Sequence, residues 1–300
     1  MMNRRNFTAA TGLLLVSCRA PASPRKAVDS DLFVHKLRQL ESGSGGRLGV
    51  HILDTASGAE LGHRSDERFL MCSTFKLLAC GYALRRVDRG QDSLDRRIAY
   101  GAADLVPWSP ITERHVAAGG MTLGELCHAT LTTSDNTAAN LILASYGGPA
   151  ALTAFARSIG DSVTRLDRFE PALNTSRDDS DTTSPRAMLH TMRRLVLDDA
   201  LTPPSREQLK QWLQANTTGD RRLRAGVPSG WVVGDKTGTS GKGTSNDIGI
   251  VWPPDGRAPL LVTVYLTRST ASPAAQDATI AQVGRLVAAV AAGQARPLQR

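Results

Sequence analysis

Three short stretches carry side chains able to do nucleophilic chemistry. Ser73-Thr74-Phe75-Lys76 places a hydroxyl and an amine just ahead of the apolar run Leu77-Leu78-Ala79. That spacing predicts a serine at a helix N-terminus with a lysine one turn later on the same face. A serine hydroxyl is a weak nucleophile until an adjacent base takes its proton. A lysine can do so only if burial or charge draws its pKa down from about 10.4. Alone, the pattern fits a capping serine beside a solvated lysine equally well, and Ser23-Pro24-Arg25-Lys26 repeats it in a polar tether. Ser134-Asp135-Asn136 is the chain's only S-x-N and Lys236-Thr237-Gly238 its only K-T-G. Singly, these read as a turn and a strand end.

The surrounding patterns say what must hold these groups. Ser30 precedes a helical stripe of Leu32, Phe33, Lys36, Leu37 and Leu40 that ends at Gly43. Arg47 to Asp54 and Ala59 to His63 read as strands joined by Thr55-Ala56-Ser57-Gly58. Trp231 to Val233, Ile248 to Trp252 and Leu260 to Thr267 read as three more, and a last helix runs from about Asp277. Between the strand groups lie helix starts: the capping box Thr122 to Glu125, Ser184 with Pro185, and Ser205 with Gln208. The expected architecture is α/β (α+β), with an antiparallel five-stranded sheet flanked by terminal helices. An all-helical domain is inserted within it. The domain boundaries follow as 30–65 with 228–295 for the sheet and 66–227 for the helices.

Residues 1–18 read as an export signal, with Arg4-Arg5-Asn6-Phe7 ahead of a short apolar run, and 19–29 as a tether. Leu15-Val16-Ser17-Cys18 has the form of a lipobox, which would tether the chain to a membrane through Cys18; ordinary cleavage nearby is the alternative. An exported, periplasmic protein is expected. Five cations fall in the first 28 residues, and removing them lowers the net charge from +8 to +3. A dispersed excess of that size is a solvated surface, so nucleic-acid binding is not expected. The four cysteines and six histidines show no metal-ligand spacing, so neither metal nor cofactor is expected.

In this order, a helix-opening S-x-x-K, an S-D-N and a K-T-G form the set shared by class A β-lactamases and penicillin-binding proteins. Arg168-Phe169-Glu170-Pro171-Ala172-Leu173-Asn174 resembles the E-x-x-L-N loop that the class A enzymes have and penicillin-binding proteins lack. The resemblance covers nearly all of residues 30–295. It includes Leu105-Val106-Pro107-Trp108, Ala138-Ala139-Asn140-Leu141 and Arg222-Leu223-Arg224-Ala225-Gly226. It implies a β-lactamase/transpeptidase-like fold and hydrolysis of small-molecule β-lactam antibiotics by a monomer, conferring resistance.

Position by position, the resemblance makes Ser73 the nucleophile, with the backbone N–H groups of Ser73 and Thr239 as oxyanion hole. Ser134 relays a proton near Lys76 and Lys236, and Glu170 with Asn174 holds the hydrolytic water. Asn136 meets the substrate's side-chain amide, while Lys236, Thr237, Gly238, Thr239 and Arg222 line its carboxylate site. Trp108 becomes a substrate wall. Either Lys76 or Glu170 could be the acylation base. The resemblance also implies a Cys80–Cys127 disulfide, worth up to about 4 kcal/mol in the chain-entropy view, and an unpaired Cys72. A departure is the loop from Glu170 to Asp181, about two residues shorter than in common members, with Arg168 and Asp181 expected to close its neck. Trp108, Cys72, Thr239 and Arg222 together point toward a spectrum that includes carbapenems. Two other functions share the acylation motifs: a D-alanyl-D-alanine peptidase, disfavoured by Glu170 and Asn174, and a non-catalytic β-lactam sensor, which would need a signalling segment.

Overall fold

A computed structural model describes residues 30–175 and 178–292. The export signal, the Cys18 lipobox, the tether and residues 293–295 of the expected sheet domain lie outside these. The strands are β1 (Arg47–Asp54), β2 (Glu60–His63), β3 (Phe69–Leu70), β4 (Arg97–Ile98), β5 (Met121–Thr122), β6 (Thr182–Thr183), β7 (Val232–Ser240), β8 (Thr244–Trp252) and β9 (Leu260–Thr267). The helices are α1 (Ser30–Ser44), α2 (Phe75–Asp88), α3 (Leu123–Thr132), α4 (Asn136–Ser145) and α5 (Gly148–Ser158). They continue with α6 (Pro185–Val196), α7 (Pro203–Gln214), α8 (Leu223–Gly226) and α9 (Pro273–Ala291).

The five long strands form one antiparallel sheet in the order β2-β1-β9-β8-β7. Chain ends thus meet in the middle: β1 pairs with β9 from Arg47↔Thr267 to Asp54↔Leu260. Both faces of β1 and β9 are covered, which is why these two strands read as near-continuous apolar runs. Side chains alternate across the sheet. Leu260, Val262, Val264 and Leu266 of β9 pack with Phe33 and Leu37 of α1 and with Ile280, Val283 and Val287 of α9. Leu261 and Tyr265 face the other way, into the core shared by α2, α3, α4 and α6. Burial of each such side chain contributes roughly 1.5–3 kcal/mol.

The expected fold class is the one observed. Four boundaries differ by more than one residue. Strand β8 begins at Thr244, four residues ahead of the expected Ile248, because it pairs with β7 and β9 through Ser245, Asn246 and Asp247. Strand β7 runs on through Asp235, Lys236 and Thr237 because their polar groups are satisfied inside; Asp235, for one, accepts from Asn216 Nδ2 at 2.7 Å and Arg224 Nε at 2.5 Å. Helix α7 starts at Pro203 after Thr202, not at Ser205, whose hydroxyl instead donates to Asp88 at 2.6 Å. Helix α9 starts at Pro273, capped by Ser272, whose Oγ accepts from the N–H of Ala275. The caps at Thr122 and Ser184 form as expected.

Candidate active site

Ser73 sits in the 3-10 turn Cys72–Thr74 that leads into α2, and Lys76, one turn on, is fully buried. Three neighbouring elements converge on them. The turn before α4 brings Ser134, whose carbonyl and hydroxyl oxygens accept from Lys76 Nζ at 2.8 and 3.3 Å. Asn136 Oδ1 accepts from the same amine at 2.5 Å. Strand β7 brings Lys236, whose Nζ donates to Ser134 Oγ at 3.1 Å and to the Thr237 carbonyl at 2.9 Å. The loop after α5 brings Glu170: its Oε1 lies 3.3 Å from Ser73 Oγ and 3.4 Å from Lys76 Nζ. Its Oε2 accepts from Asn174 Nδ2 at 2.6 Å.

Each approach has a local cause. Gly238 lets β7 press against the nucleophile turn, since a Cβ there would stand 2.7 Å from the Met71 carbonyl and 3.2 Å from Cys72 Cβ. Asp135 is buried and accepts from the N–H groups of Ile111 and Thr112 at 2.9 Å and of Ala138 at 2.8 Å. It therefore caps α4 while tying the Ser134 turn to the Trp108 loop. Asn140, one turn after Asn136, brackets Glu170 by accepting from its N–H and donating to its carbonyl, both at 2.9 Å. The neck of the Glu170 loop closes as expected: Arg168 Nε donates to Asp181 at 2.7 Å, and Asp181's carbonyl accepts from Met71 N at 3.0 Å. Cys72, Trp108 and Ser134 hold left-handed φ values of 45°, 66° and 60°. Such backbone costs on the order of 1–3 kcal/mol per residue and persists where surrounding contacts over-determine it.

Burial dominates the electrostatics. It lowers the pKa of Lys76, while Glu170's charge works against it. Lys236 is pushed down to about 7, first by burial and then by the charge of Lys76. Arg222 is buried and donates to Thr239 Oγ1 at 2.8 Å, to the carbonyls of Gly238 and Asn246 at 3.1 and 2.7 Å, and to Asp277 at 2.7 Å. Trp108 is 66% exposed, with its indole N–H on the Thr133 carbonyl at 3.1 Å.

All expected polar groups therefore gather around Ser73 or line the β7 edge beside it. The expected Cys80–Cys127 bridge does not form: both are buried free thiols, and Cys80 donates to the Cys127 carbonyl at 3.8 Å. Burial pushes the Cys80 thiol well above its usual pKa, and a protonated thiol is unreactive toward exchange. Cys72 is likewise buried and free. Asp135 and Asn140 were readable as motif members, but their positioning roles were not. The one available signal was the four-residue spacing from Asn136 to Asn140, which shares a helix face.

A sequence profile described as the β-lactamase enzyme family matches residues 32–291. β-Lactamase OXY-2 of Klebsiella oxytoca is 50% identical over 264 residues, covering 87% of this chain and 88% of that one. Among solved structures, the class A β-lactamase of the last common ancestor of Gram-negative bacteria is 61% identical with a TM-score of 0.84, covering 87% of this chain and 99% of its own. The putative class A β-lactamase PenP of Rhodopseudomonas palustris is 61% identical at a TM-score of 0.83, covering 87% and 99%. With a carboxylate on Ser73, a buried lysine between that carboxylate and Ser134, and this likeness along nearly the whole described fold, the chain belongs to the class A serine β-lactamases, which open β-lactams through a serine acyl-enzyme.

Proposed function

We propose that Ser73 Oγ attacks the β-lactam carbonyl carbon and that Glu170 receives its proton. The observation that carries this is the single carboxylate of Glu170, whose one oxygen lies 3.3 Å from Ser73 Oγ while the other takes the Asn174 amide at 2.6 Å. Lys76 is the less suited base, because its Nζ is turned on Ser134 and Asn136 oxygens that accept its protons. The role left for Lys76, as an ammonium, is to steady the serine's developing charge. As the C–N bond breaks, the Ser134 hydroxyl gives its proton to the ring nitrogen and takes one from Lys76 at 3.3 Å. Lys76 is recharged by the proton that Glu170 holds 3.4 Å from its Nζ, so that Glu170 is a carboxylate again. The N–H groups of Ser73 and Thr239 serve as oxyanion hole, each typically worth about 3 kcal/mol.

Deacylation follows from the same carboxylate. Glu170 draws a proton from water, the hydroxide attacks the ester carbon, and Ser73 Oγ leaves with the proton. Asn174 Oδ1 is buried with no partner among the described residues, an acceptor suited to that water. Lys236, Thr237 and Thr239 receive the substrate carboxylate. Arg222, committed to Thr239 Oγ1, acts by leaving that hydroxyl's proton free for the substrate. Asn136 and Trp108 flank the substrate's side chain. Residues 30–65 with 228–295 would then be the sheet domain, 66–227 the helical one, and the site the seam between them.

Glu170→Ala, lacking the proton acceptor, is expected to acylate far more slowly than the wild type. Yet with no carboxylate to activate water, the adduct it does form on Ser73 persists with the mass of the intact β-lactam, seen by mass spectrometry, while Ser73→Ala shows neither adduct nor turnover. Turnover by Ser73→Ala would end this reading. A single burst without further hydrolysis by the wild type would return it to a peptidase or sensor. Carbapenem turnover beside a penicillin and a cephalosporin tests the breadth that Trp108, Cys72, Thr239 and Arg222 suggest. The enzyme is exported; its tethering through a lipid on Cys18 predicts that Cys18→Ala leaves the membrane fraction, and unchanged partitioning rejects it.

A further inference from the structure

Where α6 meets β1 and β2, three side chains of the types that can ligate a metal come together, one from each element. His51 of β1 and Glu60 of β2 are diagonal neighbours on one sheet face: His51 pairs with Gly62, and Glu60 lies two residues before it. His190 comes from α6, one turn beyond Arg186. His51 Nε2 lies 2.8 Å from Glu60 Oε2, and His190 Nε2 lies 3.4 Å from Glu60 Oε1. One ligand atom from each of the three falls within 4.8 Å of the others.

We propose that His51, Glu60 and His190 bind Zn2+ or a similar transition-metal ion, fastening α6 to the edge strand β2. A tetrahedral zinc with bonds of 2.0–2.1 Å holds its donors about 3.4 Å apart. Reaching that spacing means shortening a separation of at most 4.8 Å, and the two side chains that would move are partly exposed, His190 at 42% and Glu60 at 28%. Two imidazoles and one carboxylate suit zinc, copper or nickel rather than magnesium or calcium. Water would complete the shell.

The buried ligand is already oriented. His51 Nδ1 lies 3.0 Å from Ser65 Oγ, the kind of outer partner that fixes a ligating imidazole. Gly62 makes room for that contact: a Cβ there would collide with the Ser65 hydroxyl and stand 2.7 Å from His51 Nδ1. One group competes with the cation. Arg186 Nη1 lies 2.9 Å from Glu60 Oε2 and 3.4 Å from His51 Nε2. Its guanidinium also rests on Asp66, with Nε at 2.9 Å and Nη2 at 3.4 Å. The metal therefore displaces one arm while Arg186 keeps its second carboxylate, so Arg186 sets the affinity without blocking the site.

The test uses tag-free, chelator-treated full-length protein titrated with ZnCl2 by calorimetry and with Co2+ by its visible absorption. Expected are one equivalent bound and a Co2+ band of tetrahedral intensity. A rise in thermal midpoint of about 5–10 °C is expected at a hundredfold excess over Kd. His190→Ala and Glu60→Gln should each weaken binding at least about tenfold, and Arg186→Met should tighten it by a similar factor once the competing charge is gone. Turnover of a chromogenic cephalosporin without metal should be the same in all three variants. No heat and no Co2+ band overturns the proposal, as does stoichiometric binding unchanged in both His190→Ala and Glu60→Gln.

Discussion

Among single residues, Lys236 is the one whose environment most changes its chemistry. Its Nζ is buried and donates to Ser134 Oγ and to its neighbour's carbonyl. Burial and the nearby Lys76 charge bring its pKa to about 7, so the ammonium is present below that pH and lost above it. The charge that draws the substrate carboxylate therefore disappears as pH rises. The expected result is a kcat/KM for an anionic penicillin that falls above pH of about 7. Lys236→Arg, which stays charged, should move that limb to higher pH. A limb unmoved in Lys236→Arg would assign it to another group. The types and order of these residues were legible in the sequence because the chemistry tolerates few substitutes. Their burial was not legible, since full enclosure of two lysines depends on packing from α3, α4 and β7.

Among the elements, β7 carries the most consequence. Its first residues read as a strand from Trp231 to Val233, whereas Asp235, Lys236 and Thr237 broke the apolar pattern that signals one. Inside the protein these polar groups are paired, so the strand continues to Ser240 and runs along the nucleophile turn. The two-residue strands β3 to β6 were invisible for a different reason: a pair of residues has no periodicity. Gly238 marks where β7 and the turn touch. Gly238→Ala puts a methyl 2.7 Å from the Met71 carbonyl, which forces the strand away from Ser73. The sheet pairing itself is spared, because the methyl clashes with the turn and not with β8. A shift of about 1 Å at the oxyanion donors can cost about 10²-fold. The expected outcome is a kcat lowered by about that factor with the circular dichroism spectrum retained. Wild-type kcat in this variant would mean that the Thr239 N–H does not serve the reaction.

At the scale of the whole molecule, one sheet serves two cores. Leu261, Tyr265, Ile248 and Ile250 belong to the helical side, while Val262, Val264, Val251 and Leu260 belong to the side of α1 and α9. The strands that bear both sets are the same, so loss of one face exposes the backbone that the other needs. Tyr265 carries the link to the site itself: its hydroxyl lies 3.2 Å from Thr74 Oγ1, beside Ser73. Unfolding should therefore be a single transition despite the discontinuous chain. Leu37 of α1 is fully buried on the far face and touches none of the catalytic groups. Leu37→Ala should cost about 2–5 kcal/mol. On heating, the midpoints for ellipticity and for activity should fall together by several degrees, with kcat unchanged at low temperature. If ellipticity fell early while activity kept its wild-type midpoint, the helical side and its active site would be shown to stand without the terminal helices, and the sheet would not be the coupling element.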